Sequence, residues 1–176
     1  DEAGRHGDWS AARRHFEEAL GQASGDARVW EALGQAEYRL GEAAAALERF
    51  REAARLEPGR ASAYARIGQV YLEHGATLEA GAATERAVAL APEQGEYRAL
   101  LAEVRLRQGE TAQAVKEYQQ AVRLAPGQAG FYHNLGFLYQ REGHPLEAER
   151  MYRAALARDP RLAHGWYNLG NLLLDQ

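Results

Sequence analysis

Apolar residues recur along the chain at helical spacing. Between Arg28 and Leu40 they fall at Val29, Leu33, Ala36 and Leu40, steps of three and four that share one helix face. Gly41 then breaks the pattern, as glycine does in the left-handed position that ends a helix. A second amphipathic run extends from about Glu42 to Leu56, with Ala46, Leu47, Phe50, Ala53 and Ala54 on one side. Pro58 stops it, because proline lacks the N–H and clashes with the preceding turn. The pattern predicts a helical hairpin with a very short turn.

The hairpin repeats with a period of 34 residues. A small-residue column runs Gly34, Gly68, Ala102, Gly136, Gly170, and a turn-glycine column runs Gly7, Gly41, Gly75, Gly109, Gly143. Prolines stand at Pro58, Pro92, Pro126 and Pro160, and alanine columns pass through Ala46 and Ala53. Gly or Ala in these columns lets two helix backbones approach closely. The units are 27–60, 61–94, 95–128 and 129–162. Residues 1–26 fit a second helix, about Asp8 to Gln22, and 163–176 fit a first helix, each a half-repeat. One hairpin cannot bury its apolar face alone, so the expected fold is an all-α stack forming a single domain.

The residues that carry these columns resemble the tetratricopeptide repeat (TPR). They are Trp30-x-x-Leu33-Gly34, Ala46, Phe50, Ala53 and Pro58 in the first unit, and Tyr64-x-x-Ile67-Gly68-x-x-Tyr71, Ala80, Ala87 and Pro92 in the second. The fourth has Tyr132-x-x-Leu135-Gly136-x-x-Tyr139, Ala148, Tyr152, Ala155 and Pro160. The third departs at Arg98, Ala102 and Arg105, and Thr84 replaces an aromatic in the second, which predicts looser packing there. The resemblance implies an α-solenoid, a right-handed superhelix of antiparallel helix pairs whose concave face is lined by first helices and takes peptides or extended segments.

Composition supports helix and narrows the chemistry. Ala, Leu, Arg, Glu and Gln dominate, and Ile67 is the single isoleucine. No apolar run is long enough to cross a bilayer, so membrane insertion is not expected. A net charge of −4 argues against nucleic acid, which requires a basic footprint. Cysteine is absent, removing disulfides and thiolate chemistry. No phosphate-binding loop, His-Glu-x-x-His or nucleophile motif occurs, so neither catalytic residues nor a cofactor are expected. His133 and His164 project from neighbouring first helices on one side, but no third ligand accompanies them, so no metal is expected. The chain reads as a non-enzyme that binds a protein or peptide.

Two surfaces are candidates. On the concave face implied by the resemblance, His133, Asn134, Phe137, Tyr167, Asn168 and Asn171 form the candidate peptide site. Asn134 and Asn168 share the column in which some TPR proteins carry an asparagine ladder bonding a peptide backbone. The carboxylate clamp that holds chaperone C-terminal tails is not matched. Its places carry Glu31, Gln35, Arg66, Glu96 and Leu100 in one frame, and Ala65, Gln69, Leu100, Gly130 and Asn134 in the next. The second surface is the pair of half-repeats. Trp9, Phe16 and Leu20 at one end, and Leu169, Leu172 and Leu173 at the other, are expected to be uncovered. One explanation is a piece cut from a longer array. Another is self-assembly: docking of one end on the other between chains would complete a hairpin and build a ring or filament, and a domain-swapped or antiparallel dimer is the third.

Overall fold

The computed structural model describes residues 8–22 and 24–174. Among them are ten α-helices and no strand. In order they are α1 (Trp9–Gln22), α2 (Ala27–Arg39), α3 (Ala43–Leu56), α4 (Ala61–Glu73), α5 (Thr77–Leu90), α6 (Gly95–Arg107), α7 (Thr111–Leu124), α8 (Ala129–Arg141), α9 (Pro145–Arg158) and α10 (Ala163–Leu174). Four hairpins pair α2 with α3, α4 with α5, α6 with α7 and α8 with α9, while α1 packs on α2 and α10 on α9. The chain forms two compact units, Asp1–Leu90 and Ala91–Gln176. The first holds α1–α5 and the second α6–α10. The expected ends of the half-repeats at residues 1–7 and 175–176 lie outside the described residues.

The hairpin turn has one chemical solution, used four times. Gly41, Gly75, Gly109 and Gly143 have φ of 83°, 74°, 82° and 77°, a region costly for any residue with a Cβ. The Gly41 N–H bonds the Tyr38 carbonyl at 3.0 Å, and the Glu42 N–H reaches back to the Glu37 carbonyl at 2.9 Å. This double closure satisfies carbonyls that the helix end would orphan.

The packing follows the columns. Ala46, Ala53, Ala114, Ala121, Ala148 and Ala155 are fully buried. A Cβ on Gly34 would stand 2.8 Å from the Phe50 ring, and one on Gly136 2.9 Å from the Tyr152 ring. Each of these first helices therefore rests its small residue on the large side chain of its own second helix. Looser packing at Thr84 is not what the structure shows. Thr84 is fully buried, and a Cβ on Gly68 would strike its hydroxyl. What the threonine loses is satisfaction, since its Oγ1 has no hydrogen-bond partner among the described residues.

Candidate peptide-binding face

In the second unit, α8 and α10 present neighbouring faces joined by a network of amides, a histidine and tyrosine hydroxyls, with the Glu103 carboxylate at its edge on Tyr118. The Asn134 Nδ2 donates to the Tyr118 hydroxyl at 2.9 Å. His133 lies between two amides. Its Nδ1 is 3.3 Å from the Asn134 Oδ1, and its Nε2 is 3.0 Å from the Asn168 Nδ2. That arrangement suits the neutral ring, with Nδ1–H donating to Asn134 and Nε2 accepting from Asn168. The His133 ring also stands edge-on to His164, with centroids 4.4 Å apart, and tilted against Tyr152 at 5.6 Å. Burial holds its pKa below the ordinary histidine value; the hydrogen bond to Asn134 opposes this and the nearby His164 adds to it. Burial likewise pushes the Tyr152 phenol up to about 12, with the Asn168 amide pulling it back. Tyr118 is raised by burial and by the Glu103 carboxylate.

The two asparagines of the expected ladder are thus engaged by their own chain. Asn134 braces Tyr118 of the preceding second helix, and Asn168 bonds His133. The side chains left open on this face are the others. Phe137 is 43% exposed and Tyr167 69% exposed. The Arg141 guanidinium lies over the Phe137 ring at 5.9 Å. Among the described residues the Asn171 amide has no hydrogen-bond partner. Gln140 accepts from the Tyr152 hydroxyl at 2.8 Å through its amide oxygen, which leaves its N–H groups without a partner among the described residues. Gln140 and Arg141 follow Phe137 within about one helical turn, and helical spacing puts both on the same face of the fourth repeat, although the candidate peptide site does not include them.

In the first unit, the corresponding first helices close their face with charge. Glu31 of α2 pairs with Arg60 and accepts from the Ser62 hydroxyl at 2.9 Å. Arg60 also holds Glu57 at 2.9 Å. Further along, Gln69 of α4 donates to Glu73 at 3.3 Å and approaches the Tyr38 hydroxyl at 3.5 Å. Arg39 lies over Trp9 at 5.3 Å.

The end surfaces differ from expectation in part. Leu169 and Leu172 are buried, packed with Tyr152 and Leu156 of α9, so they are not uncovered. They sit on the side of α10 that faces the preceding hairpin. Leu173 is 47% exposed, and the open residues beside it are Trp166 at 56% and Leu174 at 86%. A Cβ on Gly170 would meet nothing within 4 Å, unlike Gly34 and Gly136 in the same column. The Trp166 column also lacks its usual cover. Trp30, Tyr64 and Tyr132 each carry an arginine of the following second helix, Arg49, Arg86 and Arg158. At the other end, Trp9, Phe16 and Leu20 are half-buried, and no residue of α1 is fully buried.

Among the described residues no group of three or more His, Asp or Glu stands close enough to hold a metal ion, and no helix is long and apolar enough to cross a membrane. A shallow cavity of about 440 Å³ lies along α9, lined by Leu146, Glu147, Glu149, Arg150 and Arg153, and shares no residue with the α8–α10 face.

Comparison with known proteins agrees with this architecture. The family described as tetratricopeptide repeat matches residues 1–61, 38–94 and 133–176, and that described as TPR repeat matches 102–143. No curated protein matches the sequence. Among solved structures, MamA from Desulfovibrio magneticus RS-1 is similar at 23% identity, with a TM-score of 0.78 and 92% of each chain covered. YrrB, described as a TPR protein with an unusual peptide-binding site, is 25% identical with a TM-score of 0.75, over 89% of this chain and 81% of its own. A thermophilic TPR protein from Thermus thermophilus is 21% identical with a TM-score of 0.77, over 94% of this chain and 91% of its own. The fold is one typical of protein–protein interaction scaffolds. The family matches cover most of the sequence, and the chain belongs to the tetratricopeptide repeat family.

Proposed function

We propose that the chain is a non-enzymatic interaction module that binds an extended peptide or protein segment across α8 and α10. The observation that carries this reading is the pair of bare aromatic side chains, Phe137 and Tyr167, on first helices whose polar network is already satisfied within the fold. Aromatic residues that are exposed yet rigidly based are the usual anchors of an interface. The description of YrrB as a peptide-binding TPR protein supports the same class of partner. The test is selection from a displayed library of random nine-residue peptides on the full chain. Peptides enriched on the wild type should lose about tenfold or more in affinity on the Phe137→Ala/Tyr167→Ala double variant, with helicity unchanged. Equal binding to both proteins removes the reading.

A second reading is favoured by α10. Gly170 and Trp166 keep open the seat that each complete hairpin fills with a second helix. The α1 helix of another copy fits that seat by its columns, with Phe16 in the place of Phe50. Repetition of this contact gives a head-to-tail ring or filament. Leu172→Asp would damage the chain's own core, so the informative variant is Gly170→Trp, which adds bulk only where the fold has space. Light scattering should show assembly of the wild type that this variant abolishes. A wild type that stays monomeric at high concentration removes the second reading.

A further inference from the structure

We propose that the segment bound by the α8–α10 face is net acidic and carries one bulky apolar side chain, which sits against Phe137 and Tyr167 while a carboxylate faces Arg141. The proposal rests on the peptide-face reading above and adds the chemistry of the partner.

Three observations carry it. The first is the distribution of charge. Neither α8 (Ala129–Arg141) nor α10 (Ala163–Leu174) contains an aspartate or glutamate, and Arg141 is their one permanently charged residue. Between them they hold Phe131, Tyr132, Phe137, Tyr139, Trp166 and Tyr167. The second is the state of Arg141. It is exposed, its contact is with the Phe137 ring, and among the described residues no carboxylate pairs with it. Arg107, one repeat earlier in the same column of α6, is also exposed and has no carboxylate pair among the described residues. Many arginines elsewhere are committed: Arg60 to Glu31 and Glu57, Arg98 to Glu117, Arg153 to Glu149. A guanidinium resting on an aromatic ring keeps its edge N–H groups free for a planar carboxylate. The third is the supply of backbone partners. The Asn171 amide and the Gln140 N–H groups flank the aromatic pair and can serve an extended peptide's carbonyls and N–H groups.

Among the described residues, two acids border this face: Glu142, exposed directly after Arg141 as the C-cap of α8, and Glu103 of α6, which stands 3.5 Å from the Tyr118 hydroxyl. They limit the acid-free zone to the helices α8 and α10 themselves. The chain as a whole carries a net charge of −4, so its general field favours basic peptides. Selection of acidic ones must therefore come from the local face, and the two origins have opposite signs.

The experiment is the same random nine-residue library, selected on the full chain at about pH 7.5, where carboxylates are ionised, and sequenced, with each enriched peptide remeasured by fluorescence anisotropy. Enrichment of Asp or Glu together with Phe, Trp or Leu is expected. On Arg141→Glu the charge preference should invert to Lys and Arg, and the wild-type peptides should lose about tenfold or more in affinity. Arg141→Gln, which adds no charge at the helix end, should lose the acidic preference without inverting it. Enriched peptides that are neutral or basic, or an acidic preference that survives Arg141→Glu, overturn the proposal. If such neutral or basic peptides still lose affinity on Phe137→Ala/Tyr167→Ala, the face stands and its chemistry is wrong. If acidic peptides bind that double variant as well as the wild type, or if nothing is enriched, the face and the proposal fall together.

Discussion

The two units are built from the same hairpin and finish their first-helix faces in opposite ways. In the first, acids and bases sit opposite one another, and Glu31, Arg60 and Ser62 close on themselves. In the second, α8 and α10 use amides, an uncharged histidine and tyrosine hydroxyls, and leave Phe137 and Tyr167 bare. The Glu31–Arg60–Ser62 cluster is part-buried, and a face closed on itself in this way exposes few anchors. A face held by part-buried hydrogen bonds satisfied within the fold leaves its remaining aromatic side chains exposed. Backbone geometry is shared, so any difference in what the two faces bind must lie in their side chains.

The largest expected effect breaks the hydrogen-bond network of the second unit. Tyr118→Phe removes the acceptor of the Asn134 amide and should destabilise the chain by about 1–3 kcal/mol in denaturant unfolding. Adding Asn134→Leu should recover part of that loss, because both partners are then apolar. Recovery would establish the pair as structural, whereas equal, additive losses would show that the bond contributes nothing.

Acidification should distinguish the two faces next. The folded-state pKa of His133 lies below its ordinary value of 6.5, so the unfolded chain binds the proton first. This contribution to stability is fully present above pH 6.5 and is lost as pH falls from there through the lowered value. Thermal unfolding followed from about pH 7.5 to about pH 5, the range in which histidine titrates, should show a decline that is reduced in His133→Gln. A decline of the same size in that variant would place the sensitivity elsewhere.

The smallest effect concerns the charged face. Glu31→Gln should cost about 1 kcal/mol or less, and the cost should shrink in high salt, since Arg60 keeps Glu57. A larger, salt-independent loss would mean that the first unit depends on this cluster as the second depends on its tyrosines.

The fold was legible in the sequence because the 34-residue columns are enforced by backbone contact. Gly136 must lie on Tyr152, and Gly143 must take a positive φ, so those residue types are fixed. The helix limits followed to within one or two residues from Gly41 and Pro58. The site was legible only in outline. Helical spacing groups the residues of the proposed site on α8 and α10, but it suggests outward asparagines, whereas Asn134 donates to Tyr118 and Asn168 bonds His133. The signal was present: Asn134 and Asn168 each follow a tyrosine by sixteen residues, whereas Phe50 is followed by Arg66 and Thr84 by Leu100. At the end of α10, periodicity could not choose between the two sides of an apolar helix. Leu169 and Leu172 face the chain's own core, while Trp166, Gly170 and Leu173 do not.

The most direct test of the difference between the units is a map of where a peptide lands. Backbone amide chemical shifts of the full chain should be followed during titration with the tightest peptide from the library. The changes should cluster at Phe137, Gln140, Arg141, Tyr167 and Asn171, with α2 and α4 unmoved. Changes centred on α2 and α4 would contradict the account, because the charged face would then be the one that binds.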